Sequence, residues 1–197
     1  MGKLVKLKVN ETYQLKITLE DIKPVIWRRF LVDSGIKLPD LSKVIQTVMG
    51  WSNSHLHQFV INGKFYSEPD AESYRESIDY SKIRLNQLLK EEKKSIIYDY
   101  DFGDGWSHKI VLEKILEDKK LKHPECIDGK RACPPEDCGG PFGYENLIKI
   151  LADPDNEEYE EMMDWLEDEF DPEFFDIEEV NEMLKEKDYG CISFDME

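Results

Sequence analysis

The chain has 197 residues, is 40% hydrophobic and 11% aromatic, and carries a formal charge of -17. That length supports one well-packed core and excludes two comfortable ones, and no stretch approaches the roughly eighteen consecutive apolar residues of a membrane-spanning helix. Met1 to Asn10 alternates lysine with leucine and valine and lacks the apolar run of a secretory signal, so a cytoplasmic location is expected.

The acidity is unevenly distributed. Residues 1–152 hold 24 Lys+Arg against 23 Asp+Glu, whereas residues 153–197 hold 2 against 20. A near-neutral body therefore ends in a strongly negative quarter. Such a quarter reads either as solvated helix faces or as a surface for a basic partner, and it leaves nucleic acid or a protein open as partners of the body.

In chain order, Tyr13 to Glu20 alternates apolar and polar residues as a half-buried strand does, and a turn at Asp21 to Pro24 returns the chain through Val25 to Val32 as its hairpin partner. Pro39 at a helix start, Leu41, Val44, Ile45, Val48 and Met49 at helical spacing, and Gly50 at the end predict a helix over Leu38 to Met49. His55 to Ile61 alternates again. Asn62-Gly63 is the strongest short hairpin signal in the chain and sends Lys64 to Tyr66 back as a strand. Ser67 to Lys82 is polar and aperiodic, and Ile83 to Leu89 predicts a short helix.

The next segment is the one the rest is organised around. Ile96, Tyr98, Tyr100 and Phe102 share one strand face, Trp106, His108, Ile110 and Leu112 share the face of the return strand, and Gly103-Asp104-Gly105 turns between them. Lys119 to Gly143 is rich in proline, glycine and cysteine and reads as a long ordered loop. Three amphipathic acidic helices follow, near Tyr144 to Ala152, Asn156 to Glu169 and Asp176 to Lys185, the last with Asp176 as its cap. The expected architecture is a single α+β domain over 1–197. A mixed, mostly antiparallel sheet rolls around one helix (10–118, β-grasp-like by topological analogy), a loop follows (119–143), and acidic helices dock on the roll (144–187).

Several motifs in a fixed order resemble one family. They are Trp27-Arg28-Arg29, Met49-Gly50-Trp51-Ser52-Asn53-Ser54-His55-Leu56-His57-Gln58-Phe59, Tyr100-Asp101-Phe102-Gly103-Asp104-Gly105-Trp106-Ser107-His108, Cys126 to Gly129, Cys133-Pro134-Pro135-Glu136-Asp137-Cys138-Gly139-Gly140, and Phe170-Asp171-Pro172-Glu173-Phe174-Phe175-Asp176. Together they resemble the plasmid pRiA4b open-reading-frame-three-like family from about Tyr13 to Leu184. The resemblance implies an association with plasmids and mobile elements and brings no catalytic residues with it.

The residues themselves offer three readings. Cys126, Cys133 and Cys138, with His123 or His108, form a possible zinc set, although their spacing is looser than that of paired-cysteine signatures and small buried thiols explain them too. His55 and His57, with Asp99, Asp101, Asp104 and His108, form a His/Asp set of the kind that binds a divalent ion and activates water in a hydrolase or nuclease. The aspartates serve equally well as turn-stabilising acceptors. Arg29, Trp51, Trp106, Gly103, Gly105, Glu136 and Asp137 complete the binding candidates. Aromatic and cationic residues together suit single-stranded nucleic acid, and Arg29 is also a candidate to pair with Glu136, Asp137 or a C-terminal carboxylate. The preferred expectation is a binding module without catalysis, its site lying where the Gly103 to Gly105 tip, the His55/His57 strand and the cysteine loop converge.

Overall fold

The computed structural model describes residues 11–69, 76–117, 120–166 and 170–191. An eight-stranded sheet runs in the order β5-β4-β3-β6-β7-β1-β2-β8. Its strands are β1 (Thr12–Leu19), β2 (Trp27–Asp33), β3 (His57–Ile61), β4 (Lys64–Ser67), β5 (Ile78–Asp79), β6 (Ser95–Tyr100), β7 (Trp106–Leu116) and β8 (Glu125–Lys130). Every pairing is antiparallel except that of β4 with the two-residue β5. The protein is α+β, with a mixed and mostly antiparallel sheet around one helix.

That helix is α1 (Leu38–Met49), with Pro39 in its first turn and Gly50 at φ 107° closing its end through an N–H to the Gln46 carbonyl. A left-handed residue there ends the helix without a Cβ penalty. Tyr13, Leu15, Ile17 and Leu19 from β1 and Leu41, Val44, Ile45 and Val48 from α1 lie buried in one apolar cluster. Each such side chain contributes about 1.5 to 3 kcal/mol by leaving water, so Leu41→Ala, which opens a cavity, costs roughly 2 to 5 kcal/mol.

Arg28 on β2 points into the same interior. Its guanidinium donates to the carbonyls of Val48, Met49, Trp27 and Lys130 and lies 3.8 Å from the ring of Phe175. The last carbonyls of α1 have no partner within the helix and lie at its negative pole, so a buried cation is accommodated there without a carboxylate.

The expected loop over 119–143 is corrected in two places. Residues 125–130 form β8, an edge strand on β2, and a helix, α3, already begins at Gly140 and runs to Leu151. Only Cys126 of β8 is buried; an edge strand held by its backbone bonds needs no alternating apolar pattern. The remaining helices are α2 (Leu85–Leu88), α4 (Tyr159–Leu166) and α5 (Ile177–Met183). Asp176 caps α5 by accepting from the N–H groups of Glu178 and Glu179. Phe170, Phe175, Ile177 and Val180 pack against the main core, so the acidic segment is docked. The N-terminal ten residues, part of the expected 67–82 loop and the end of the expected middle helix lie outside the described residues. Among the described residues, no helix is long and apolar enough to cross a membrane.

Candidate functional site

The β6–β7 hairpin turns through Asp101 to Gly105, closed by a 2.6 Å bond from the Gly105 N–H to the Asp101 carbonyl. The turn is wider than Gly103-Asp104-Gly105 alone. Asp101 itself adopts φ 53°, a left-handed conformation that aspartate tolerates better than most residues. Its Oδ1 accepts from the N–H groups of Gly103 and Asp104, and its own N–H donates to the Leu56 carbonyl. Asp101 thus serves the turn with one oxygen and leaves Oδ2 facing His55 Nε2 at 3.8 Å. Its side chain is only 8% exposed.

The segment 133–140 reaches the same place from the other side. Asp104 Oδ2 accepts from the Gly139 N–H, and a Cβ on Gly140 would collide with the Asp104 carbonyl. Glycine at 140 is therefore required by close approach, and Gly140 also sits at φ 68°. The contact brings Glu136 and Asp137 beside His55, with Nε2 lying 3.2 Å from Asp137 Oδ1 and 3.9 Å from Glu136 Oε2. Glu136 is held by its other oxygen, which accepts from the Ser52 N–H, the Ser52 hydroxyl and the Tyr100 hydroxyl at 2.7 to 2.8 Å. Burial and the adjoining Glu136 carboxylate push the Tyr100 phenol well above its usual range, so it is a donor at every ordinary pH.

Two atoms in this cluster are buried and lack hydrogen-bond partners: His55 Nε2 and Glu136 Oε2. Asp137 approaches Nε2 closely, but out of line for a hydrogen bond. Among the described residues, one set of three metal-ligating side chains has its donor atoms within 4.8 Å of one another: His55, Asp101 and Asp137. Ligand atoms bound at about 2.1 Å to a four- or six-coordinate ion lie roughly 3.0 to 3.4 Å apart; His55 Nε2 stands 3.2 Å from Asp137 and 3.8 Å from Asp101, and the three ligand atoms would draw together around an ion. One imidazole nitrogen with two carboxylates, and the Glu136 carboxylate beside the histidine, suits a first-row divalent ion such as Mn2+ or Zn2+.

The other histidines and acids expected nearby are occupied elsewhere. Trp51 donates its indole N–H to His108 Nε2 at 3.0 Å, which makes that nitrogen an acceptor and leaves Nδ1–H to donate to the Tyr98 carbonyl. Burial lowers the His108 pKa to about 4 and holds the ring neutral. His57 starts β3, bonds the Tyr80 hydroxyl at 2.8 Å, and is likewise pushed by burial to about 4. Asp99 accepts from Gln58 and Ser107. Trp106 is fully buried between strands, Gly103 and Gly105 only shape the turn, and Trp51 packs on Tyr100 and Trp106 at 5.1 and 5.4 Å. Among the described residues Arg29 pairs with Glu113 and Asp128 and not with Glu136 or Asp137, because its strand position points it to the opposite sheet face.

The cysteines do not gather into a ligand set among the described residues. Cys126 sits under β8 against the carbonyls of Arg29 and Asp128, while Cys133 and Cys138 pack against the main core. Burial raises all three thiols, Cys126 to about 11, Cys138 to about 12 and Cys133 well above its usual value, so each remains protonated. His123 lines a surface groove with Arg84, Lys122 and Leu184, and no cysteine contributes to that lining. Ser52 and Tyr100 are the contributors that sequence reasoning missed; Tyr100 alternates with Tyr98 and reads as core.

The model of the family described as plasmid pRiA4b ORF-3-like protein matches residues 11–179. The chain is 37% identical over 158 residues to "Uncharacterized protein y4hQ" of Sinorhizobium fredii, covering 80% of this chain and 81% of that protein. A crystal structure of a protein of unknown function, MM3350 from Methanosarcina mazei Go1, superimposes with a TM-score of 0.78 at 38% identity, covering 87% of this chain and 98% of that one. With its motifs, its sheet and these relatives in agreement, the chain belongs to the plasmid pRiA4b ORF-3-like family.

Proposed function

We propose that the protein is a binding module built on a divalent-cation centre of His55, Asp101 and Asp137, with Glu136 beside it. The observation that carries this reading is a pair of buried atoms without hydrogen-bond partners, His55 Nε2 and Glu136 Oε2, facing each other across 3.9 Å. Leaving two such polar atoms buried without hydrogen bonds is costly, and a cation bound beside them offsets the cost. Binding is favoured over hydrolysis because His57 and His108, the further histidines of the expected hydrolytic set, are engaged elsewhere. A metal-activated water remains a second reading, supported by the 73% exposure of Asp137, which leaves one side of the centre open. The association with plasmids and mobile elements rests on the family description alone.

Calorimetric titration of tag-free, chelator-treated protein with Mn2+ and Zn2+ tests the reading. Near-stoichiometric binding that weakens at least about tenfold in His55→Asn and Asp137→Asn, and persists in Cys133→Ser, is expected. Absence of binding, or loss only in the cysteine variant, would remove the centre.

A further inference from the structure

Three large apolar side chains stand in solvent on the segments that carry the centre. Leu56 is 65% exposed, Phe102 55% and Phe142 87%. Leu56 follows His55 and bonds the Asp101 backbone; Phe102 follows Asp101; Phe142 lies in the first turn of α3, whose start abuts Asp104. Exposed apolar groups flanking a polar centre are a mark of interaction surfaces.

The charge on these segments is of one sign. Residues 51–58, 99–107 and 132–146 contain no lysine or arginine, while Asp99, Asp101, Asp104, Glu136, Asp137 and Glu145 fall within them. Nucleic acid is held chiefly by lysine and arginine contacts to phosphate; these segments have none to offer, and the neighbouring Lys149 of α3 is paired with Glu145. Even with a divalent ion bound, the three carboxylates and His55 leave the centre negative. We infer that this face docks a basic, apolar peptide segment of a partner protein, its alkyl or aromatic side chains on Leu56, Phe102 and Phe142 and its lysine or arginine near the exposed Asp137. Opposite charge steers the encounter and the apolar contacts hold it. The inference goes beyond the cation centre and does not depend on its occupancy.

The test is fluorescence anisotropy with three labelled probes: an alternating Lys/Leu decapeptide, its Glu/Leu counterpart, and a ten-nucleotide single-stranded DNA. The Lys/Leu peptide is expected to bind at least tenfold tighter than either of the others and to weaken as salt is raised. Phe142→Ser and Leu56→Ser, at exposed positions, are expected to weaken it several-fold while leaving the cation titration unchanged. Equal binding of the Glu/Leu peptide, tighter binding of the DNA, or indifference to both substitutions would overturn the proposal. Peptide binding without cation binding would sink only the cation centre, and the reverse only the docking surface.

Discussion

His108 and His55 stand at opposite ends of one accounting. Both lie close to the aromatic residues of β6, His108 against Tyr98 and His55 against Tyr100, with ring centroids 5.7 and 5.8 Å apart. Around His108 every polar atom has a partner, the Trp51 indole on one nitrogen and the Tyr98 carbonyl on the other. Around His55 the geometry is as well supported, but Nε2 has no hydrogen bond. Residue type does not separate these two histidines; the partners of their nitrogens do, and on that difference His55 is proposed as a ligand and His108 is read as a structural residue.

The contrast is broken most severely from the buried side. His108→Ala leaves the Trp51 N–H and the Tyr98 carbonyl unpaired beside a cavity, so a loss of about 3 kcal/mol or more in denaturant unfolding is expected, with cation binding retained by whatever fraction folds. Acid probes the same region. The folded pKa of His108 lies at about 4, below its unfolded value of about 6.5, so the unfolded chain binds more protons between these values. The stabilisation is complete above pH 6.5 and is lost as pH falls toward 4, by up to about 1.4 kcal/mol per unit for each such histidine. His57 adds to the same window. His108→Gln should flatten this slope in urea titrations, whereas His55→Asn should leave its His108 component in place.

On the open side, His55→Asn is expected to change stability by less than about 1 kcal/mol and to lack the rise in melting temperature that Mn2+ or Zn2+ is expected to give the native protein. A large intrinsic destabilisation would place His55 with His108 as a structural residue and dissolve the comparison. Tyr100→Phe removes one of three donors from Glu136 Oε1 and is expected to weaken the ion about tenfold at a stability cost near 1 kcal/mol. The smallest effect belongs to Arg29→Gln. That residue is partly exposed on the opposite sheet face with Glu113 and Asp128, so about 1 kcal/mol or less is lost and the centre is untouched.

Much of the fold is legible in the sequence because its signals are local. Alternation marks β1, β2, β6 and β7, and Asn62 and Gly63, at φ 50° and 74°, make the tight turn that their pairing predicts. The site is less legible because it depends on where strands stop. Period two puts His55 and His57 on one face, yet β3 begins only at His57, and His55 belongs to the loop before it. The same rule places Asp101 opposite Tyr100 on β6, but the strand ends at Tyr100 and the left-handed Asp101 turns its carboxylate toward His55. Glu136 and Asp137 were visible as binding candidates; that Asp104 pins their loop through Gly139 is a contact between distant segments that no local pattern encodes. β8 escapes notice because a backbone-paired edge strand asks little of its side chains.

The bond from Gly139 to Asp104 also has a kinetic meaning. It joins a hairpin tip to a loop that follows an entire additional strand, so the proposed centre would be complete only once both segments are in place, which is expected after the hairpin itself has formed. Contacts absent from the folding transition state leave the folding rate nearly unchanged and slow unfolding instead. An ion bound at this point would act as a brake on opening, lengthening the lifetime of the native protein while doing little to hasten its formation.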